Sequence, residues 1–319
     1  MANVSNPTVL LVDDDVGILK AISRILAPDF AVVAAVTNGR QAIEHVRQCD
    51  PDVVVLDLSM PGLNGFETAV ELKRIGSVAK ILVLTSYCSD EYVHEAIESG
   101  ASGYVPKHSA WSDLIPALRH VLAGRQVLPC LAPLAKRKSG AHVLRGYPTT
   151  SSWLDDVADL LSAALHRGDV TAVALTTFHR DELTLKLRER RWNLAELRRL
   201  GRYLVFDVED ASRRIIKSGR LNPDAVVEMV ETLECARVAC AGGPARRVVI
   251  VGEIAVPLCE SHNFDAALEL ERLWDELTRP LPILTVCSYP GAGSDCSVPP
   301  ELLSEICAHH AVIVNASDD

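Results

Sequence analysis

The chain has 319 residues, with 42 acidic and 32 basic side chains and a formal net charge of −10. This length suits two domains that each bury a core, and the acidic balance argues against nucleic acid as the main partner because like charges repel. No apolar run approaches the length of a membrane span, no signal peptide is recognisable and the nine cysteines lack paired metal-ligand spacing, which predicts a cytoplasmic protein with free thiols and no membrane contact.

The first 124 residues alternate short apolar, β-branched runs with stretches of helical spacing. This alternation predicts an α/β domain of the flavodoxin-like type, with five parallel strands that are each followed by a helix. Asp15 is expected to cap the first helix. The predicted strands lie near residues 8–12, 30–36, 52–56, 80–84 and 103–105.

Five polar side chains stand where these predicted strands end. Because the carboxyl ends of parallel strands meet at one edge of a sheet, Asp13, Asp14 and Asp57 should share a crevice with Thr85 and Lys107. Three carboxylates repel one another unless a cation lies between them, and an all-oxygen set favours Mg2+. Beside Mg2+, Asp57 can attack phosphorus to form an aspartyl phosphate while Lys107 and Thr85 contact the transferred oxygens.

These motifs resemble, in order and setting, the receiver domain of bacterial two-component response regulators over about residues 7–124. The resemblance implies that Asp14, Asp57 and the backbone carbonyl of Ser59 ligate Mg2+ directly, and that Asp13 acts through water. It also implies that a sensor histidine kinase or a phosphotransfer protein donates the phosphoryl group. The motifs are residues 12–14, the loop at 59–62 that follows Asp57, the Thr85-Ser86 pair, and residues 100–107, which end at Lys107.

The same resemblance assigns a switch to Thr85 and Tyr104. In the family a hydroxyl moves toward the phosphate and an aromatic side chain swings inward behind it. Tyr87, two positions after Thr85, would hinder the water that hydrolyses the phosphate, which predicts slow autodephosphorylation. Receivers often dimerise near their last strand and helix, so a homodimer is left open.

Residues 125–147 are interpreted as a linker. They carry five basic and no acidic side chains, and they include Pro129 and Pro133. Such a basic run is typical of a solvated tether or a contact for an acidic neighbouring domain. A transcriptional regulator that acts through this linker is the alternative, but no helix-turn-helix pattern follows it, so DNA binding is not expected.

Residues 148–319 again alternate helices and strands, which predicts a second α/β domain. Its short motifs resemble, in order, the MEDS domain, a sensory module named from methanogens, methylotrophs and the dichloromethane regulator. The resemblance implies a core related to the RecA and KaiC ATPases. The motifs lie at residues 165–169, 176–180, 201–203, 251–253, 270–277 and 287–290; the predicted strands at 170–176, 203–207, 247–251, 281–287 and 311–315; and the two clearest helices at 153–167 and 264–277.

The chemistry of nucleotide binding is incomplete in this domain. A P-loop needs closely spaced glycines and a lysine for the phosphates, whereas residues 146–152 offer one glycine and hydroxyls only. After the strand expected to carry a Walker B acid, Glu253 stands alone. ATP hydrolysis is therefore not expected, although a nucleotide-binding enzyme gated by the receiver is the alternative that the fold leaves open.

Five residues at or just beyond the predicted strand ends are candidates for a small-ligand pocket. Each also has an ordinary explanation as a helix cap or a turn residue, so a small ligand and a pure interaction surface are both left open. These residues are Thr176, His179, Arg180, Glu253 and Tyr289.

Two further features are interpreted as structural. Cys307 with His309 and His310 is the nearest approach to a metal cluster, but neighbouring positions on one element point apart. The Leu and Trp stripe of the helix at 264–277, which includes Glu271, is expected to pack in the core.

Together these features predict a cytoplasmic response regulator with a phosphoacceptor domain at residues 1–124, a linker at 125–147 and a MEDS-like domain at 148–319. It would relay phosphorylation of Asp57 to a downstream protein partner. No enzyme activity is expected beyond self-phosphorylation and slow autodephosphorylation.

Overall fold

A computed structural model of the chain describes residues 6–87, 89–135, 140–147, 150–240, 245, 247–290 and 299–314. Contacts divide the chain into two compact units, and the boundary along the chain falls between Pro129 and Cys130. Among the described helices, none is long and apolar enough to span a membrane.

The first unit is an open parallel sheet with strand order β2-β1-β3-β4-β5-β6. The five predicted strands are confirmed as β1 to β5. In chain order the elements are β1 (Thr8–Val12), α1 (Val16–Leu26), β2 (Ala31–Val36), α2 (Gly39–Cys49), β3 (Val53–Leu56), α3 (Gly65–Arg74), β4 (Lys80–Thr85), α4 (Asp90–Ser99), β5 (Gly103–Pro106), a 3-10 turn at Lys107–Ser109, α5 (Ala110–Leu122) and β6 (Gln126–Leu128).

Local sequence explains where these elements start. All four residues of β3 are buried, as expected of a central strand covered by helices on both faces. The Asp15 carboxylate accepts hydrogen bonds from the N–H groups of Gly17 and Ile18, which confirms the predicted cap of α1. A Cβ atom at Gly65 would lie 2.2 Å from the Asp57 carbonyl oxygen, so only glycine lets α3 begin this close to the end of β3.

The second unit is also an all-parallel sheet, with strand order β14-β7-β13-β12-β8-β9. Its elements are α6 (Ala132–Ala135), β7 (Ala141–Tyr147), α7 (Thr150–His166), β8 (Val170–Leu175), α8 (Thr177–Glu189), α9 (Leu194–Arg199), β9 (Tyr203–Asp207), α10 (Val208–Ile215), the hairpin strands β10 (Ile216–Lys217) and β11 (Arg220–Leu221), α11 (Pro223–Ala239), β12 (Val248–Gly252), α12 (Val256–Glu260), α13 (Phe264–Thr278), β13 (Ile283–Pro290), α14 (Pro300–Ala308) and β14 (Val312–Val314).

Helices cover the second sheet in the manner of a doubly wound fold. Helix α7 packs on α8, whereas α11, α13 and α14 share another core cluster. Strand β8 leads on to β9, and β12 leads on to β13 in the opposite direction across the sheet. The crevice between β8 and β12 is therefore a topological switch point, where ligands of open α/β sheets bind.

The predicted linker at residues 125–147 needs correction. Its first part contains β6, and its last part is β7, which lies between β13 and β14 in the second sheet. The polar side chains of His142 and Arg145 concealed this strand in the sequence, yet both are buried in the structure. The basic run at residues 136–139 lies outside the described residues, as does residue 315 of the predicted last strand.

Candidate functional site

The polar residues predicted from the ends of β1, β3, β4 and β5 lie at one edge of the first sheet. Oxygen atoms of Asp13, Asp14 and Asp57 all lie within 4.8 Å of one another. Backbone bonds fix this arrangement, because the Asp13 N–H donates to Val36 and the Asp57 N–H donates to Val12. Asp13 and Asp57 are buried, whereas Asp14 faces solvent.

Lys107 reaches into this pocket and bridges two of its acids. Its Nζ atom lies 2.7 Å from Oδ2 of Asp13 and 2.8 Å from Oδ2 of Asp57. Burial opposes the charge of Lys107, but these hydrogen bonds outweigh burial and raise its pKa. For the carboxyl group of Asp13, burial has the larger effect and raises the pKa, even though Lys107 donates a hydrogen bond to it. One ammonium group therefore leaves part of the carboxylate charge uncompensated.

The donor set fits the Mg2+ ion that receiver domains bind at such a pocket. Hard carboxylate oxygens are the ligands that Mg2+ prefers, and the raised pKa of Asp13 reflects a desolvated charge that a second cation would offset. Ser59 lies two residues beyond Asp57 and is exposed to solvent. The chemistry of the residues present is thus that of a magnesium site.

The two predicted switch residues lie close to this pocket. Thr85 is fully buried, and its hydroxyl has no hydrogen-bond partner within the described part of the chain. The Tyr104 ring is buried, and its hydroxyl donates to the Tyr87 carbonyl oxygen at 2.7 Å. The Tyr87 ring stacks on Tyr92 with centroids 4.5 Å apart. A buried hydroxyl without a partner can contact a phosphoryl oxygen that enters the pocket.

The candidate pocket residues of the second domain separate into three groups. His179 Nδ1 lies 2.8 Å from Oε2 of Glu253, and the Thr176 N–H donates to the same oxygen at 3.3 Å. Arg180 instead donates to Asp207 at 3.1 Å. The group of Thr176, His179 and Glu253 therefore joins the end of β8 to the end of β12, at the switch-point crevice.

Tyr289 belongs to the third group. Its hydroxyl donates to Oε1 of Glu271. Glu253, Glu271, Cys287 and Tyr289 line one small cavity of about 30 Å³, which has room for only a water-sized molecule.

Sequence interpretation missed a buried polar cluster in this domain. The side chains of His142, Glu271, Cys287 and His310 converge although they come from distant parts of the chain. His142 was assigned to the linker, Glu271 to core packing, Cys287 to the free thiols and His310 to an incidental pair. The available signal was polarity inside apolar strands, because a polar side chain on a fully covered sheet requires a partner.

Comparisons with known proteins match both domains. Residues 9–119 match the response regulator receiver domain family. Residues 141–311 match the family described as MEDS, the MEthanogen/methylotroph, DcmR Sensory domain.

Individual relatives align with the receiver domain. The nitrate/nitrite response regulator protein NarL of Escherichia coli strain K12 is 38% identical over 130 residues, which cover 40% of this chain and 60% of NarL. The chemotaxis protein CheY of Halobacterium salinarum is 33% identical over 114 residues, which cover 36% of this chain and 95% of CheY. A solved LuxR-family response regulator from Aurantimonas sp. SI85-9A1 shares 35% identity with a TM-score of 0.37, and covers 38% of this chain and 89% of its own.

The acid pocket, the receiver family match and the 33% identity that covers 95% of CheY define the class of protein, which is a two-component response regulator with an amino-terminal receiver domain. Because the second match covers more than half of the chain, this response regulator belongs to the MEDS family.

Proposed function

We propose that the protein accepts a phosphoryl group on Asp57 from a histidine kinase or a phosphotransfer protein, and that the MEDS domain relays this event to a downstream protein partner. The observation that carries the proposal is the ammonium group of Lys107 held between Asp13 and Asp57. The buried Thr85 hydroxyl, at the end of the neighbouring strand β4, has no hydrogen-bond partner among the described residues. The polar groups of Asp57, Lys107 and Thr85 are thus preorganised for phosphoryl transfer.

Each residue has a separate task in the transfer. A carboxylate oxygen of Asp57 attacks phosphorus, the bond from phosphorus to the donor breaks, and the donor departs with the electron pair. Lys107 and Thr85 contact the phosphoryl oxygens as charge moves onto them. Asp14, Asp57 and the Ser59 carbonyl would hold Mg2+, with Asp13 acting through water, and the bound ion would supply positive charge to offset the repulsion between phosphate and carboxylates.

The output we propose is a binding event in the MEDS domain. The phosphoryl group adds a charge of about −1.5 to −2, which favours the switched state of Thr85 and Tyr104. The similarity to NarL extends over 60% of NarL. In this chain the part that follows the receiver domain matches the MEDS family instead. The net charge of −10 supports a protein partner rather than DNA.

We further propose that the MEDS domain has a RecA- and KaiC-related core that does not hydrolyse ATP. The support is the parallel sheet with a switch point at Glu253 and the absence of a P-loop lysine from residues 146–152. The Glu253 carboxylate is also engaged by His179 and the Thr176 N–H, which leaves it poorly placed to act on a nucleotide. ATP with Mg2+ should give no thermal shift in an Asp57→Asn chain, and a shift of several degrees would favour the enzyme alternative.

The relay is tested by phosphorylating the full chain with acetyl phosphate and Mg2+. Trp153, Trp192 and Trp274 lie in the second unit, so in a Trp111→Phe background tryptophan fluorescence reports on that unit. We expect intact-mass detection of one phosphoryl group and a fluorescence change that Asp57→Asn abolishes. The matched control is Asp15→Asn, which changes a neighbouring acid that only caps α1.

Two outcomes would count against different parts of the proposal. Phosphorylation of the Asp57→Asn chain would remove Asp57 as the acceptor. A phosphorylated wild-type chain whose fluorescence stays constant would leave the acceptor role intact and would refute the relay.

A further inference from the structure

Four side chains of types that can ligate metals meet inside the MEDS domain, far along the chain from the acid pocket. His142 lies on β7, Glu271 on α13, Cys287 on β13, and His310 between α14 and β14. The exposed fractions of His142, Glu271 and His310 are 4%, 2% and 2%. A cluster of polar and titratable side chains in the interior costs free energy unless its lone pairs and charges have partners.

The distances between the donor atoms are those of a tetrahedral metal site. His142 Nε2 lies 3.2 Å from Cys287 Sγ and 3.2 Å from Glu271 Oε2. Glu271 Oε2 lies 3.6 Å from Cys287 Sγ and 3.5 Å from His310 Nε2. Metal bonds of about 2.0–2.1 Å to nitrogen or oxygen and about 2.3 Å to sulfur would separate tetrahedral ligands by roughly 3.3–3.6 Å. All four atoms lie within 4.8 Å of one another.

Hydrogen bonds orient both imidazole rings toward the centre of the cluster. His142 Nδ1 lies 3.2 Å from the His309 carbonyl oxygen, and His310 Nδ1 lies 2.8 Å from the Ile306 carbonyl oxygen. A carbonyl oxygen only accepts, so each Nδ1 carries a proton, and the Nε2 atom of each ring faces the cluster, where it would offer a lone pair to a metal ion when deprotonated. This arrangement, in which a ligating histidine donates its other N–H to a carbonyl, is usual around protein-bound metals.

Without a metal ion, one donor atom of this cluster lacks a partner in the described part of the chain. Nε2 of His310 has no hydrogen-bond partner within the described residues, and the nearest atom of the cluster is an acceptor, Oε2 of Glu271. Tyr289 donates to Oε1 of Glu271, while Oε2 of Glu271 faces Nε2 of His142 at 3.2 Å and the Cys287 thiol at 3.6 Å. A positive ion at the centre would satisfy all four inward lone pairs at once.

We propose that His142, Glu271, Cys287 and His310 bind one divalent transition-metal ion of the Zn2+ class. Two imidazoles, one thiolate and one carboxylate suit Zn2+ and its borderline neighbours, whereas Mg2+ and Ca2+ require oxygen ligands. Four protein ligands close the coordination sphere, which is typical of a structural site. The ion would join α13 to β7, to β13 and to the segment between α14 and β14. Glu271 and Cys287 also line the small cavity described above.

The test uses the full chain, stripped with a chelator under reducing conditions and titrated with Co2+. An Asp57→Asn background weakens metal binding at the receiver pocket. We expect one equivalent of Co2+ to give a thiolate charge-transfer band together with the visible bands of tetrahedral Co2+, and we expect Zn2+ to displace it. Full-length protein without this charge-transfer band would overturn the proposal.

Single substitutions locate the ion. Cys287→Ser should abolish the charge-transfer band, and His310→Gln should weaken Co2+ binding at least about 100-fold, because each removes a ligand. Tyr289→Phe should weaken binding by about 10–100-fold, as loss of an outer hydrogen bond does at other metal sites. The matched control is His309→Gln, which changes the adjacent histidine and keeps the carbonyl that His142 contacts. Equal affinity in His309→Gln and His310→Gln, or a band that survives Cys287→Ser, would place the ion elsewhere and overturn the proposal.

Discussion

The buried ion pair between Arg247 and Asp169 gives a sharp prediction about the stability of the MEDS domain. Nε of Arg247 lies 2.9 Å from Oδ2 of Asp169, and NH1 donates to the Leu134 carbonyl at 3.2 Å. Both residues are almost fully buried, with exposed fractions of 2% and 1%. They join the starts of β8 and β12, the strands whose far ends carry the Thr176 and Glu253 group. We predict that Arg247→Met destabilises this domain strongly.

The size of the effect follows from what remains after the change. Removing one partner of a buried pair costs about 3–5 kcal/mol, because the other charge stays buried without compensation. Arg167, whose side chain is 30% exposed, also contacts Asp169 at 3.0 Å and would keep part of the compensation. We therefore expect about 3 kcal/mol, which for a domain of this size lowers the unfolding midpoint by roughly 6–12 °C.

The measurement is urea and thermal unfolding of the full chain in the Trp111→Phe background, followed by tryptophan fluorescence. The control is Arg272→Met, because Arg272 makes an exposed helix pair with Glu276 at 2.9 Å. Such a pair contributes about 0.3–0.5 kcal/mol. The double variant Arg247→Met with Asp169→Leu should recover most of the loss, since it removes both buried charges.

A loss from Arg247→Met no larger than that from Arg272→Met would refute the buried-pair account. So would a double variant less stable than Arg247→Met alone, because the cost would then come from packing and not from an unpaired charge.

The receiver domain yields three further predictions. Lys107→Met should slow phosphorylation of Asp57 by acetyl phosphate about 100- to 1000-fold, the usual effect of removing one preorganised charge stabiliser, and an unchanged time course of phosphorylation would contradict this role. Tyr87→Ala should shorten the lifetime of the aspartyl phosphate several-fold by admitting water, as followed by loss of the phosphorylated mass; a wild-type lifetime of only seconds would remove the premise. Burial and the nearby Arg125 lower the pKa of His120 to about 4 from an ordinary value of 6.5, so between these pH values the unfolded state binds the proton and stability falls as pH falls. His120→Gln should flatten that fall in unfolding midpoints measured between pH 7 and 4, and parallel curves would exclude His120 as its source.

The receiver site could be predicted because its signals are local. Asp13, Asp57 and Thr85 each follow a continuous buried apolar run, and parallel strands necessarily bring such ends to one edge. The cap at Asp15 depends only on the next three residues, so it too was accessible from sequence.

The second domain was predicted less completely, for reasons that particular residues make clear. Strand β7 carries His142 and Arg145 between its apolar residues, so its pattern suggested a solvated linker, although helices cover both faces of the sheet. Thr176, His179 and Glu253 meet at the strand ends, whereas Arg180 contacts Asp207. Tyr289 contacts Glu271 and lines the same small cavity as Glu253.

The sequence by itself determined that this is a receiver domain followed by a MEDS domain, and it predicted the cluster of Asp13, Asp14 and Asp57, because strand periodicity and strand-end chemistry are contained in short segments. Only the tertiary structure decided that β7 completes the second sheet and that His142, Glu271, Cys287 and His310 share one buried centre. Those four residues are separated by up to 168 positions, and no local pattern records which distant side chains the strand order will place together.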